Sequence, residues 1–254
     1  MRRALAITRN TVREVLRERV VLVLGLFGLA LAVGAQGLSP LALGEGRRIV
    51  IDFGLAGASL LATLLAIFLG STLLHKELDR RTIYAVMAKP IRREEFLLGK
   101  FLGLWATTGL LLAGMTGTVI AAVTLFYGAT PWGALQALLL TCLELGIVTP
   151  VVTLFSAFTT PALTAFFTIA TVVAGHLAGD LHYFSDHGPA AIRALAGVVY
   201  WLLPHLEVFN ARGLVVHGLP VEPGRLLFAA AYGLLYAAGA LAVAATIFRR
   251  REFR

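Results

Sequence analysis

The sequence has too few charged residues for an ordinary soluble protein. Asp, Glu, Lys and Arg make up 14% of the 254 residues, whereas hydrophobic residues make up 58%. A soluble domain of this size leaves many residues at its surface, so it cannot hide that much apolar side chain from water. A protein in a membrane can instead expose these apolar side chains to lipid. The composition therefore excludes an ordinary soluble domain and predicts an integral membrane protein.

Cysteine and the common catalytic motifs are also scarce. The single cysteine, Cys142, cannot form a disulfide within the chain, so the redox compartment is not indicated. The nearest approach to a phosphate-binding loop is Gly99-Lys100, but Glu94 replaces the first glycine and Phe101 replaces the Ser or Thr. No HExxH or GxSxG pattern occurs. We therefore expect no catalytic residue and no cofactor in this chain.

Six apolar runs are long enough to cross a bilayer. They are Val20–Gly37, Phe53–Leu74, Phe101–Tyr127, Ala134–Phe158, Ala162–Leu181 and Leu226–Phe248. Because every backbone polar group in lipid needs a partner within the protein, these runs must be helices. The predicted fold class is an all-α integral membrane protein with six transmembrane helices, forming a single transmembrane domain over residues 1–254.

Basic residues are concentrated on one predicted side of the membrane. Seventeen of the 22 Lys and Arg residues fall in the N-terminal segment, the connection between the second and third spans, and the C-terminal tail. Lys and Arg mark the cytoplasmic side of membrane proteins. Both termini and residues 75–100 are therefore predicted to be cytoplasmic. The net charge of +8 then reflects topology, and we expect no nucleic-acid partner.

Two segments outside the spans have a predicted structure. Residues 1–19 carry arginines every four residues along one side, which predicts a helix in the headgroup layer. The alternative is a basic flank that only fixes topology. Residues 182–224 form an outer segment whose longest apolar stretch, Ala194–Leu203, has only ten residues. This length favours a re-entrant or interfacial helix over a further crossing.

The cytoplasmic connection at residues 75–100 mixes both charge signs with apolar side chains. An apolar surface with a charged rim is typical of a docking site for another protein. Pro90 is expected to divide the connection into two short helices, because the residue before a proline disfavours helical geometry. The alternative is an amphipathic segment that lies on anionic lipid.

This connection resembles the one between the second and third helices of ABC exporter permeases of the second type. Six features of the family's connection have counterparts here in the same order. They are an acidic residue (Glu77), a Thr (Thr82), a Lys-Pro pair (Lys89-Pro90), an Arg (Arg93), an aromatic residue (Phe96) and a Gly-Lys pair (Gly99-Lys100). Residues Leu203–Asn210 are similar to the family's Leu-Pro-Asn-Leu-Glu-like segment before the last helix. Residues Phe248–Phe253 are similar to its basic tail.

The resemblance implies a function and a set of partners. Two such permeases would pair as a homodimer in a prokaryotic cytoplasmic membrane, and two ABC ATPase subunits would bind their cytoplasmic faces. ATP hydrolysis would occur on those partners. The resemblance implies that the connection at residues 75–100 couples the permease to the ATPase. Its coupling residues would be Glu77, Asp79, Arg81, Thr82, Lys89, Pro90, Arg93 and Phe96.

Polar residues inside the spans are further candidates. Glu144 lies within the fourth apolar run, and intramembrane ionisable residues usually face a cavity or a partner. Glu144 and its neighbour Thr141 are therefore candidates for a translocation path, with a packing role as the alternative.

A second polar group lies at the end of the fifth apolar run. His176, Asp180 and His182 have spacings that a metal ion can use, and the alternative is a set of interfacial polar residues. A metal site here would favour a membrane-embedded metal-dependent enzyme. A permease homologue that signals or moves mechanically without transport also stays open.

Overall fold

The computed structural model of the chain describes residues 8, 12, 26–28, 30, 34, 45–79, 93–179, 200 and 202–250. At 73–79, 93–94 and 248–250 it describes the backbone alone. The regular structure in this part of the chain is entirely helical. Its elements are α1 (Gly46–Asp79), α2 (Arg93–Tyr127), α3 (Gly133–Ser156), α4 (Pro161–His176), a 3-10 helix (Leu206–Phe209), α5 (Arg212–Val216) and α6 (Pro223–Arg250).

The all-α membrane fold is confirmed. Helices α1, α2, α3 and α6 are each long and apolar enough to cross a bilayer. Of the first predicted span, Val20–Gly37, only residues 26–28, 30 and 34 are described, and all of them are helical. Most of the stretch Ala194–Leu203 and most of residues 1–19 lie outside the described residues, so their predicted helices stay predictions.

Helix α3 is the centre of the bundle. It packs against α1, α2, α4 and α6. In its most apolar stretch 67% of the residues are buried, against 17% in α6, which lies at the edge with most of its surface open to lipid. A Cβ atom on Gly70 of α1 would lie 2.5 Å from Cγ1 of Val152, so this glycine lets α1 approach α3 closely. Polar side chains on α3 are therefore held inside the protein.

The charged connection is shorter than predicted. Helix α1 continues to Asp79 and α2 begins at Arg93, so only residues 80–92 of the predicted 75–100 loop lie outside the described helices. Helices continue into water because their backbone groups bond internally, and Glu, Lys and Arg are good helix formers. We call the end of the bundle where α1 ends and α2 begins the connection end. At the far end, α1 and α3 begin at Gly46 and Gly133.

Helix α4 is shorter than the predicted span Ala162–Leu181. Its 16 residues start with Pro161, which suits a first helical position, and end at His176. At about 1.5 Å per residue such a helix measures about 24 Å, less than the roughly 30 Å of a hydrocarbon core. The described helix α4 thus ends before the predicted span does, and another part of the chain packs against this end, as described below.

Candidate functional site

An ion pair lies near the midpoint of α3. Glu144 of α3 has a side chain that is 8% exposed, and its Oε1 atom lies 3.3 Å from Nε2 of His176 at the end of α4. The sequence analysis placed these residues in two separate hypotheses, a translocation path and a metal site. The structure brings them together. The signal available in the sequence was that an ionisable residue inside an apolar run needs a partner.

The imidazole of His176 has a polar neighbour at each ring nitrogen. Nδ1 lies 3.0 Å from the carbonyl oxygen of Val172, which can only accept, so Nδ1 carries a hydrogen and donates it. Nε2 faces the Glu144 carboxyl group. Each side chain thus gives the other the polar partner that an apolar environment requires.

A re-entrant segment, residues 204–210, packs beside this pair. Leu206 and Phe209 are at most 1% exposed and share an apolar cluster with Leu140 and Ile147 of α3. Phe209 also lies against Gly233 in α6. Only Leu206–Phe209 of the segment form a helical turn, of the 3-10 type, and the backbone on either side of it is irregular. Irregular backbone within a membrane protein needs partners from the surrounding protein or from water. The segment therefore depends on its neighbours for hydrogen bonds.

Side chains of α6 supply those hydrogen bonds. The backbone N–H of His205 donates to the Tyr232 hydroxyl at 2.9 Å. Arg225 donates to the carbonyl oxygen of Asn210 at 2.9 Å and to that of Val208 at 3.5 Å. These bonds satisfy backbone groups that an irregular turn cannot satisfy itself. The re-entrant segment is thereby fixed to α6.

Two glycines allow the re-entrant segment to touch the end of α4. A Cβ atom on Gly175 would lie 2.5 Å from the carbonyl oxygen of Pro204. One on Gly179 would lie 2.7 Å from a carboxylate oxygen of Glu207. Contacts this short do not occur with real Cβ atoms. The end of α4, the ion pair and the re-entrant segment therefore form one compact site.

The Tyr232 hydrogen bond gives a first prediction. Tyr232→Phe should destabilise the folded chain by about 1–3 kcal/mol, because the partly buried N–H of His205 then loses its acceptor. Tyr236→Phe is the matched control, since its hydroxyl donates at 3.2 Å to an exposed carbonyl of Leu202 that water can reach. Thermal unfolding of the purified protein measures both. Equal loss of stability in the two variants would show that the hydrogen bond to His205 contributes no more than the exposed one.

Two buried threonines of α3 are satisfied within their own helix. The hydroxyls of Thr149 and Thr153 donate to the carbonyl oxygens of Leu145 and Thr149, each at 2.8 Å. Such bonds back to the preceding turn are common for Thr in helices. Thr141 is half-buried and precedes Glu144 by one turn of the helix. Thr141 and Glu144 thus stay the path candidates, and the paired Glu144 is the stronger one.

The candidate metal ligands are only partly described. Asp180 and His182 lie outside the described residues. Within the described part of the chain, no group of three or more His, Cys, Asp or Glu side chains is placed to hold a metal ion. His176 contacts acceptors through both ring nitrogens. Metal binding by His176 would therefore require one of these contacts to break.

The coupling candidates lie on both sides of the connection. Glu77 and Asp79 are in the last turns of α1, and Arg93 begins α2. Phe96 is 5% exposed and lies inside the bundle, and its role in coupling stays a prediction. The remaining candidates, outside the described residues, are Arg81, Thr82, Lys89 and Pro90.

Comparison with known proteins gives one match. A family model described as ABC-2 family transporter protein matches residues 5–253. No curated protein matches the chain. The family match spans the ion pair, the re-entrant segment and both sides of the connection.

Proposed function

The chain belongs to the ABC-2 transporter family, and we propose that it is the permease subunit of an exporter driven by a separate ATPase subunit. The family and the apolar helices make it a multi-pass membrane protein. We further propose two ATPase subunits and a second permease copy in the complex. We also propose a prokaryotic cytoplasmic membrane as its location, which rests on the family resemblance, and the charge distribution supports a cytoplasmic position for both termini.

The observation that carries a transport role is the Glu144–His176 pair beside residues 204–210, where a single 3-10 turn is flanked by irregular backbone. Ionisable groups and irregular backbone are expensive within a membrane, so they persist where they serve a function. In transporters, substrate sites often lie near the midplane where helices are interrupted. The end of α4 and the re-entrant segment are joined by packing rather than by continuous helix. This junction can therefore rearrange while α1, α2 and α3 stay intact.

Coupling is proposed at the connection end. A ligand drives a conformational change only when it binds the two conformations with unequal affinity, and ATP would do so on the partner. Helices α1 and α2 have 34 and 35 residues, so each is longer than a membrane crossing requires. Movement of a partner docked at residues 77–93 would pass along these helices to α3. We place Glu77, Asp79, Arg93 and the intervening residues in that docking surface.

Charge reversal at the connection end tests this proposal. Glu77→Lys or Asp79→Lys should weaken binding of the ATPase by more than tenfold, because loss of a buried charge pair costs about 2–5 kcal/mol. A pair at the rim of the interface would cost far less, so the size of the effect also reports burial. The measurement is a pull-down of the ATPase subunit with each variant, alongside ATP-driven transport in liposomes.

Asp52→Lys is the matched control for both reversals. Asp52 is an exposed acidic residue on the same helix, but it lies near the far end. It should therefore bind the ATPase like the parent. If Glu77→Lys and Asp79→Lys also bind and transport like the parent, the connection end is not the coupling surface. Normal ATPase binding by the parent without transport would instead favour a signalling or mechanical subunit.

A further inference from the structure

A cavity at the far end of the bundle lies well away from the ion pair and from the connection end. Its volume is about 470 Å³, within the range of small-molecule binding sites. Three separate parts of the chain line it: the start of α1, the turn before α3, and the stretch that follows α5. The side chains of its polar wall are Arg47, Arg48, Gln136 and His217.

The charged side chains that line this cavity are all basic. Two guanidinium groups and an imidazole contribute to its wall, and its described lining contains no acidic side chain. Arg48 forms an ion pair with Glu45 at 2.9 Å, but both side chains are at least half exposed, so the pair is weak. Arg47 forms no ion pair with a described residue. The first turns of α1 and α3 add the partial positive charge of helix N-termini.

The depth of the cavity follows from its aromatic and apolar neighbours. Trp132 lines the cavity and is 72% exposed, at the point where α3 leaves the apolar region. Tryptophan exposed at a helix end prefers the headgroup level of a bilayer. Val215 and Val216 add an apolar part to the wall. The cavity thus offers cationic groups at headgroup depth beside apolar surface.

We propose that this cavity binds the phosphate group of an anionic amphiphile. Guanidinium groups match phosphate oxygens with paired hydrogen bonds, which makes arginine the residue suited to this recognition. The apolar wall accommodates the first methylene groups next to the phosphate. The amphiphile is either a lipid of the surrounding leaflet or the molecule that the complex transports. The site itself does not depend on coupling to an ATPase.

Binding to the purified full-length chain tests the proposal without an ATPase. The probes are dihexanoyl phosphatidic acid, dihexanoyl phosphatidylcholine and inorganic phosphate, each titrated while the thermal unfolding temperature is measured. Phosphatidic acid should stabilise the parent in proportion to its occupancy, and phosphatidylcholine should not. Arg47→Gln combined with Arg48→Gln should weaken phosphatidic acid binding by about tenfold or more. The single variant Arg47→Gln, at an exposed position, should show part of this loss and covers the case in which the double variant does not fold.

Two further variants separate a specific site from a general effect of charge. Arg249→Gln removes one cation from the last helix at the connection end and should leave binding unchanged. Glu45→Gln releases Arg48 from its ion pair and should leave binding as tight or make it tighter. Equal weakening by Arg249→Gln, equal binding of phosphatidylcholine, or no binding of phosphatidic acid to the parent would overturn the proposal.

Nanodiscs that contain phosphatidylglycerol and phosphatidylcholine distinguish the two possible sources of the phosphate group. If phosphatidylglycerol stays bound to the parent after detergent extraction, and not to the double variant, the ligand is a leaflet lipid. If only the short-chain acid and inorganic phosphate bind, the cavity serves a phosphate carried by another molecule. Both results support the cavity as a phosphate site. Failure of transport or of ATPase binding bears on the proposed function and leaves this result unaffected.

Discussion

Gly175→Ala is expected to destabilise the folded chain by about 1–3 kcal/mol, the usual cost of forcing an extra group into a filled site. The added Cβ would lie 2.5 Å from the carbonyl oxygen of Pro204 and 3.1 Å from Leu206. A backbone carbonyl cannot rotate away as the tip of a side chain can. The re-entrant segment must therefore move from α4, and a larger residue such as leucine should detach it. Thermal unfolding followed by tryptophan fluorescence gives the measurement.

Gly239→Ala in α6 is the control for the same substitution in a helix. Nothing lies within 4 Å of its would-be Cβ, so the change brings no clash. Glycine is about 0.5–1 kcal/mol less favourable than alanine inside a helix. The control should therefore be neutral or slightly more stable than the parent. Gly175→Ala with the stability of the parent would show that α4 and the re-entrant segment do not touch.

Loss of Glu144 is expected to have the largest effect on transport. Glu144→Ala leaves His176 without its partner inside the bundle. An unsatisfied buried polar group costs about 1–3 kcal/mol, and the lower part of that range applies because the His176 side chain is 36% exposed. A double-mutant cycle with His176→Ala should give a coupling energy within about 0.5–3 kcal/mol. A coupling energy of zero would mean that the two side chains do not interact.

Glu144→Gln separates the charge of this residue from its shape. The amide keeps the volume but can no longer share a proton with His176 as a carboxyl group does. We expect ATP-driven transport in liposomes to be lost, while assembly with the ATPase persists. Thr149→Val on the same helix is the control, because its hydroxyl bonds only within α3 and its loss leaves the ion pair intact. Transport by Glu144→Gln at the rate of the parent would return Glu144 to a packing role.

The spans were predictable because hydrophobic runs are local properties of the sequence. The predicted runs that began at Phe101, Ala134 and Leu226 became α2, α3 and α6, each with additional residues at one end or both. Helix ends were less predictable. The end of α4 lies against Pro204 and Leu206, about 30 positions further along the chain, and no local pattern in the sequence contains that contact.

The sites show the same division between local and long-range information. Glu144 was recognisable as an ionisable residue in an apolar run, but its pairing with His176 depends on how α3 and α4 pack. The far-end cavity is assembled from three segments that are distant in the sequence. In the sequence Arg47 and Arg48 contributed only to a count of charges. Their placement beside His217 appears only once the helices are arranged in space.

The short length of α4 has a consequence for how the chain is made. Because α4 precedes residues 204–210 in the sequence, it leaves the ribosome before the segment that packs against its end. Until that segment arrives, the last carbonyl groups of α4 lack this protein neighbour. The turn before α4 is closed locally, because the Thr159 and Thr164 hydroxyls lie 2.8 Å apart in a hydrogen bond. We expect α3 and α4 to enter the membrane as a hairpin, and the end of α4 to complete its packing only after residues 204–210 have left the ribosome.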